Sequence, residues 1–463
     1  MSKRPTIRRG SIGRGFAVSV AGLRAGGAFA LGSAIERLRG GDGDSSELLR
    51  REARRFTAEL GRLKGSYVKI GQLLALLGEH FLPAPLTEAL HDLDSQTHPL
   101  RWDELEEHVR DAIGDAYGNL EVEREALAAA SLAQVHRATC RDTGDELVLK
   151  VQYPELAAVI DDDFDAVVRM LLLARWVRAG RDLDGWMEDL RQQLHNEIDY
   201  ARELEMTVEA RKRLSSARGP YYVPDVRPAY SSDTVLALEY VDGHRVSDAE
   251  VAALSQARRN ELGRAMLELF FFELYDWGVL QTDPNFGNYL VRIGESPKGN
   301  GRAKDQLVLL DFGSTMPCDD EFRRHFGNAI AAGQIGDREL LVESLMGLGC
   351  LRSDATEFAR DSFCEFCELL LEPLREPSRL PREYLNERGE YCWGRSRLMQ
   401  RVGKQAAGSA ATRHFATPSR EFAMIVRKLT GVFTFITVLN AEFNGHDMVH
   451  RYIDDWVGAR RCA

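Results

Sequence analysis

Cysteine is scarce: seven occur in 463 residues, an odd number scattered along the chain. That excludes the disulfide framework of small secreted domains and leaves reduced thiols as the expectation. Long apolar runs are missing as well. No stretch of about 18 strongly apolar residues occurs, which excludes a multi-span membrane protein. The nearest candidate, Phe16 to Ala34, is rich in Gly and Ala and interrupted by Arg24, so it makes a poor span and a poor signal peptide. There is no excess of positive charge: 60 Lys and Arg face 71 Asp and Glu, a net charge of −11, which argues against a general nucleic-acid binder. A Walker-type Gly-Lys-Ser/Thr run is absent, and Gly13-Arg14-Gly15 is only a fragment of a dinucleotide fingerprint. No internal repeat is found.

What is present is ordinary globular material, 44% hydrophobic and 28% charged, long enough for two or three domain-sized units. The charge is unevenly placed. Residues 1–40 carry Lys3, Arg4, Arg8, Arg9, Arg14, Arg24, Arg37 and Arg39 against Glu36 alone, so a head of +7 precedes a body of −18. Such a head predicts an anionic surface as its partner. An Arg-rich, nearly acid-free start also suits a mitochondrial presequence. Helical periodicity runs through Glu47–Leu77, about Pro85–Ile113, Glu155–Arg178 and Leu183–Leu214. A hairpin is predicted from Gln134–Ala138 and Glu146–Val151 around the turn Asp142-Thr143-Gly144-Asp145, and strands from Val223–Val226 and Thr234–Val241. From Asp248 the pattern is helical except for a second hairpin, Tyr289–Arg292 with Leu307–Leu310.

Four segments could carry chemistry. In Asp283-Pro284-Asn285-Phe286-Gly287-Asn288, an Asp precedes an Asn by five positions on a loop entering a strand. That is the spacing of a phosphoryl-transfer loop, in which the Asp faces the attacking hydroxyl or water and the Asn turns back to a magnesium ion. Leu309-Leu310-Asp311-Phe312-Gly313 is an apolar strand ending in Asp-Phe-Gly, where Asp311 could reach a metal on the phosphates and Gly313 permits a sharp turn. In Val148-Leu149-Lys150-Val151, a lysine inside an apolar strand needs a partner, unless it lies on an edge facing water. Glu197, Asp199 and Glu203 are the acids available to it, and the spacing does not choose among them. Ala128-Ala129-Ala130-Ser131 precedes the first strand, at the position of a Gly-rich phosphate cover, although an alanine run alone reads as a helix fragment.

Together and in this order, these segments resemble the UbiB-type atypical kinases, also called the AarF-domain family. Lys69-Ile70-Gly71-Gln72 matches the family's Lys-x-Gly-Gln motif, followed by the Ala-rich loop, Lys150, Glu197-Ile198-Asp199, Asp283 with Asn288, and Asp311. Gln281-Thr282-Asp283-Pro284-Asn285 is similar to the coenzyme Q kinase branch rather than to the His-x-Asp-x-His-Pro-Gly-Asn form, as are the head and the tail around Phe422–Gly431. The resemblance implies an α+β, bilobal protein-kinase-like fold with an N-terminal helical extension packed over the active site. It divides the chain into a basic membrane-interacting head (1–45), a helical extension (46–120), an N-lobe (121–242) and a helical C-lobe (243–463). It implies ATP and Mg²⁺ as cofactors, with Lys150 held by Glu197, Asn288 and Asp311 on the metal, and Asp283 orienting or deprotonating the nucleophile. Nucleotide contacts would come from Ala128, Ala129, Ala130, Ser131, Lys150, Glu239 and Val241. Lys69, Gly71, Gln72, Asp199 and Glu203 would occlude or regulate the site, so that protein kinase activity in trans is not expected.

The expected function is an ATPase or kinase supporting ubiquinone biosynthesis at a membrane, with a prenylated quinone precursor or quinone-biosynthesis enzymes as partners. The alternatives are a nucleotide-gated lipid-binding chaperone or scaffold, and a small-molecule phosphotransferase. The tail Asp447–Ala463 is polar, so attachment would rest on the basic head, each basic group near an anionic surface contributing about 1 kcal/mol. The expected location is peripheral on the cytoplasmic face of an inner membrane, or the matrix face in a mitochondrion. Cys364 and Cys367, three apart on a helical run, read as core rather than zinc ligands, His136 as structural, and Phe270-Phe271-Phe272 as a core helix.

Overall fold

The computed structural model describes residues 43–457 apart from 64, 76–81, 92, 94–98, 174–175, 178–182, 218, 295–303 and 411–418. The basic head therefore lies almost wholly outside the described residues. The chain forms two compact units, Met1–Leu204 with Val226–Tyr240, and Glu205–Asp225 with Val241–Ala463.

The first unit is built on an antiparallel sheet in the order Leu120–Val122, Ala133–Cys140, Glu146–Gln152, Val235–Glu239, with Ala128–Ala129 also paired onto Ala133–Cys140. Side chains along a strand alternate between faces. Leu147, Leu149 and Val151 therefore share one face, where Val235, Ala237 and Ala138 join them under Trp102, Leu105 and Val109 of the helix Trp102–Ile113. Val148 points the other way, toward Tyr200 and Leu204 at the start of the helix Tyr200–Ser215. Lys150, in phase with Val148, is on this second face. Buried Gln134 exchanges two hydrogen bonds with Leu100, donating to its carbonyl (3.2 Å) and accepting from its N–H (2.9 Å). His136 is wholly buried against Trp102, with Nδ1 2.8 Å from the Glu123 carbonyl, and burial lowers its pKa.

Before the sheet come the helices Gly43–Leu63, Ser66–Ala75 and Ala84–His91. The Ser66 hydroxyl donates to buried Asp163 of the helix Leu156–Leu173, anchoring one to the other. The predicted helix Leu183–Leu214 is two helices, Leu183–Ile198 and Tyr200–Ser215. Asp199 makes the break: its carboxylate accepts from the Arg202 N–H at 2.9 Å, the local bond by which Asp starts a helix.

The second unit is mostly helical. The helix Gln256–Phe271 runs into a π-helical segment, Phe272–Trp277, stopped by Gly278 in the left-handed conformation (φ 73°). Phe270 and Phe271 are fully buried, so this segment is core. The strand Val279–Gln281 then pairs with Thr315–Pro317, while Tyr289–Arg292 pairs with Gln306–Leu309, which also takes Tyr221–Tyr222 in parallel. The helix Arg420–Val438 lies against Gln256–Phe271. Cys364 and Cys367 are buried and free on the helix Glu357–Leu370. No helix among the described residues is long and apolar enough to cross a membrane.

Candidate active site

In the first unit, Lys150 donates to both carboxylate oxygens of Glu203, at 2.7 and 2.8 Å. Glu203 is buried, the lysine side chain is 22% exposed, and its ammonium sits 5.2 Å from the centre of the Tyr200 ring. The expectation that Glu197 holds Lys150 is thereby corrected. The break at Asp199 turns the chain, so that the acid reaching the lysine's face of the sheet is on the second helix. Glu197, on the first, pairs instead with Lys69 at 2.5 Å. Lys69 thus meets an acid of the Glu197–Asp199 motif, while Gln72 donates to the Leu93 carbonyl at 3.2 Å. Gly71 is packed so tightly that a Cβ there would overlap Leu93. Asp199 is exposed and serves as the helix start.

The alanine-rich segment is a short strand and turn rather than a helix fragment. Ala128 and Ala129 pair with Val135 and Gln134, and the Ala130 N–H donates to the Ala133 carbonyl at 2.8 Å. The Tyr153 hydroxyl donates to the Ala130 carbonyl at 3.2 Å, and Ser131 is buried. Glu239 closes the sheet opposite Leu147; Val241 belongs to the second unit and is buried.

In the second unit, the two predicted loops are stitched together at both ends. Before Asp283, the Thr282 N–H donates to the Ser314 carbonyl (2.9 Å) and the two hydroxyls lie 2.8 Å apart. After it, the Leu310 N–H donates to the Asn288 carbonyl at 3.0 Å. Between these ties, Asn288 Nδ2 donates to Asp283 Oδ2 at 3.0 Å, and Asp311 Oδ1 accepts from the Gly313 N–H at 2.9 Å. With its nitrogen engaged, Asn288 offers Oδ1 as its acceptor. An amide oxygen and a carboxylate are the hard oxygen donors that magnesium takes, so this pair fits the ion the resemblance implies. Phe312 is buried beside Trp277 and fixes the loop's apolar side.

Further groups at this loop escaped the sequence reading. Arg427 donates to Asp283 Oδ1 at 3.2 Å. Its neighbour Lys428 is fully buried, 2.8 Å from Gln281 Oε1, 3.0 Å from the Tyr289 hydroxyl and 3.2 Å from Glu273 Oε2. Burial favours the neutral amine, yet Glu273 and Tyr289 hold Lys428 above the ordinary lysine range; burial also pushes the Glu273 carboxyl up. Gly431, one turn on, lets the helix approach: a Cβ there would overlap Pro284 of the loop. The available signal was the charged pair Arg427-Lys428 interrupting the apolar run Phe422–Leu429, within the Phe422–Gly431 stretch already noted for its resemblance.

Residues 92–345 match the family described as ABC1 atypical kinase-like domain. The chain is 28% identical over 88% of its length to the atypical kinase coq-8, mitochondrial, of Caenorhabditis elegans, and spans 51% of that protein. It is 28% identical over 89% of its length to the atypical kinase COQ8B, mitochondrial, of Rattus norvegicus, covering 74% of it. Among solved structures it is similar to Rv3197 of Mycobacterium tuberculosis, determined with erythromycin, at a TM-score of 0.60 and 21% identity, over 89% of this chain and 98% of that one. The fold is kinase-like.

Proposed function

Because the chain belongs to the ABC1 atypical kinase-like family, we propose that it binds ATP with magnesium and transfers the terminal phosphoryl group to water or a small acceptor, supporting ubiquinone biosynthesis at a membrane surface. One observation carries the reading. Asp283 and Asn288 meet at 3.0 Å on a loop tied at both ends to the Asp-Phe-Gly loop. This cross-bracing supports the reading, because it would keep a base and a metal-ligand pair in fixed relation.

Lys150, oriented by Glu203, would meet the α and β phosphates, and the Ala128–Ser131 turn would cover them, with Glu239 and Val241 toward the base. Asn288 through Oδ1 and Asp311 through its carboxylate would hold magnesium, which when bound neutralises charge on the phosphates. Asp283 would accept the nucleophile's proton, with Arg427 and Asn288 limiting the directions its carboxylate can take. The Lys69–Glu197 pair, with Gly71 and Gln72, would form the occluding element, favouring small acceptors over protein ones. We assign residues 1–45 to membrane contact, 46–120 to the extension, 121–242 to the nucleotide lobe and 243–463 to the helical lobe. The quinone link is supported by the coenzyme Q kinase relatives, whose names place them in mitochondria.

The test is phosphate release from magnesium-ATP, with and without anionic liposomes, for wild type and Asp283→Asn. Turnover that rises with liposomes and disappears in the variant is the expected result. Wild-type turnover no greater than the variant's under every condition would overturn the enzymatic reading in favour of nucleotide-gated binding.

A further inference from the structure

We propose that Lys428 is a positioning residue for the Asp283–Asn288 loop, holding it at both ends through Gln281 and Tyr289; this rests on the reading of Asp283 as the group that faces the nucleophile.

The argument begins with counting. An ammonium has three donors. Those of Lys428 find three acceptors: Gln281 Oε1 at 2.8 Å, the Tyr289 hydroxyl at 3.0 Å and Glu273 Oε2 at 3.2 Å. Gln281 lies two residues before Asp283, and Tyr289 directly follows Asn288. One cation therefore grips the residues on either side of the catalytic segment. The grip is passed inward: Gln281 Nε2 donates to the Asp283 carbonyl at 2.7 Å, the Tyr289 hydroxyl donates to Gln281 Oε1 at 3.1 Å, and the Gln281 N–H donates to Glu273 Oε2 at 3.2 Å.

A buried lysine whose only task was stability would be a poor choice for this place. A buried ion pair is often no more stable than apolar side chains of the same volume, because desolvation offsets the attraction. What the charge supplies here is direction. Contacts from one buried nitrogen hold Gln281, Tyr289 and Glu273, and Gln281 in turn holds the backbone carbonyl of Asp283. Glu273 is carried into place by the π-helical segment, a local widening of the helix that recurs at functional sites.

The decisive variant is Lys428→Met with Glu273→Gln. It removes both charges together and keeps an amide oxygen to accept from the Gln281 N–H, so neither partner is left as an unpaired buried ion. The expected result is a thermal midpoint and a magnesium-ATP affinity close to wild type, with kcat lower by about tenfold or more. A role in stability alone would leave kcat unchanged once the fold is kept. Gln281→Met serves if the double variant does not fold. It leaves the Lys428–Glu273 and Lys428–Tyr289 contacts in place and removes the Gln281 side-chain amide that joins Lys428 and Tyr289 to the Asp283 carbonyl, and kcat should again fall with nucleotide affinity retained. A kcat within twofold of wild type in a folded variant overturns the proposal. Asp283→Asn, run alongside, separates the two levels. Turnover that needs Asp283 but neither Lys428 nor Gln281 refutes only the positioning role. Wild-type turnover equal to that of Asp283→Asn refutes the catalytic reading and this inference with it.

Discussion

Each unit contains a lysine held by a glutamate, and the two pairs are built differently. In the strand-rich unit, Lys150 gives two hydrogen bonds to a single buried carboxylate while its own side chain stays 22% exposed. In the helical unit, Lys428 is sealed, its side chain 1% exposed, and spends its donors on three different residues of its own unit. The first arrangement suits a cation meant to meet an incoming anion. The second suits a cation whose partners are all internal, where the pair's geometry matters more than its attraction. Exposure, more than residue type, distinguishes a lysine that contacts ligand from one that positions other residues.

That comparison can be broken or sharpened by substitution. The largest effect is expected at Asp283, the group that Lys428 would position. Asp283→Asn should lower turnover of magnesium-ATP by about 10²–10⁴-fold with an unchanged melting profile, measured by phosphate release. Lys428→Met alone should cost about 3–5 kcal/mol in urea unfolding, because it leaves Glu273 charged and buried without its cation; a smaller loss would mean the sealed pair is not sealed. Lys150→Met should raise the KM for ATP by about tenfold and abolish the thermal stabilisation that a non-hydrolysable ATP analogue gives wild type. If the analogue still stabilises this variant, the exposed lysine is not the ligand-facing one. Gly431→Ala pushes a methyl into Pro284 and should lower kcat severalfold with nucleotide affinity retained.

The smallest expected effect is in pH dependence, and it concerns the first unit alone. Burial depresses the pKa of His136 in the folded protein below its ordinary 6.5. Below that value the unfolded chain takes up a proton that the folded chain refuses, so stability falls as the pH is lowered. Unfolding midpoints measured between neutral and mildly acidic pH should decline for wild type and decline less for His136→Gln.

Much of the site was legible in the sequence because its residues are close along the chain. Asp283 and Asn288 are five apart, and Asp311 follows the second strand of the hairpin that Tyr289 opens, so the hairpin pattern brings the two loops together. The hairpin carrying Lys150 was legible from a turn signal between two β-rich runs. Short strands were not: Leu120–Val122, Val279–Gln281 and Thr315–Pro317 are three residues each, too short to show alternation, and pairing with distant partners is what makes them strands. The acid facing Lys150 was open among three until Asp199 broke the helix and turned Glu203 inward. The helix Arg420–Val438 lies more than a hundred residues beyond the loop it braces, and no local pattern connects Lys428 to Gln281.

By itself, then, the sequence determined the chemical inventory and its order: a lysine in an apolar strand, an Asp-to-Asn loop, an Asp-Phe-Gly turn, a basic head on an acidic body. Those are matters of residue type and short spacing, where covalent geometry limits what neighbours can do. Tertiary structure alone decided the pairings, Lys150 with Glu203, Lys69 with Glu197, and Lys428 with Glu273, Gln281 and Tyr289. A charge chooses its partner by distance in space and by loss of water, and both are set only when helices pack and strands align.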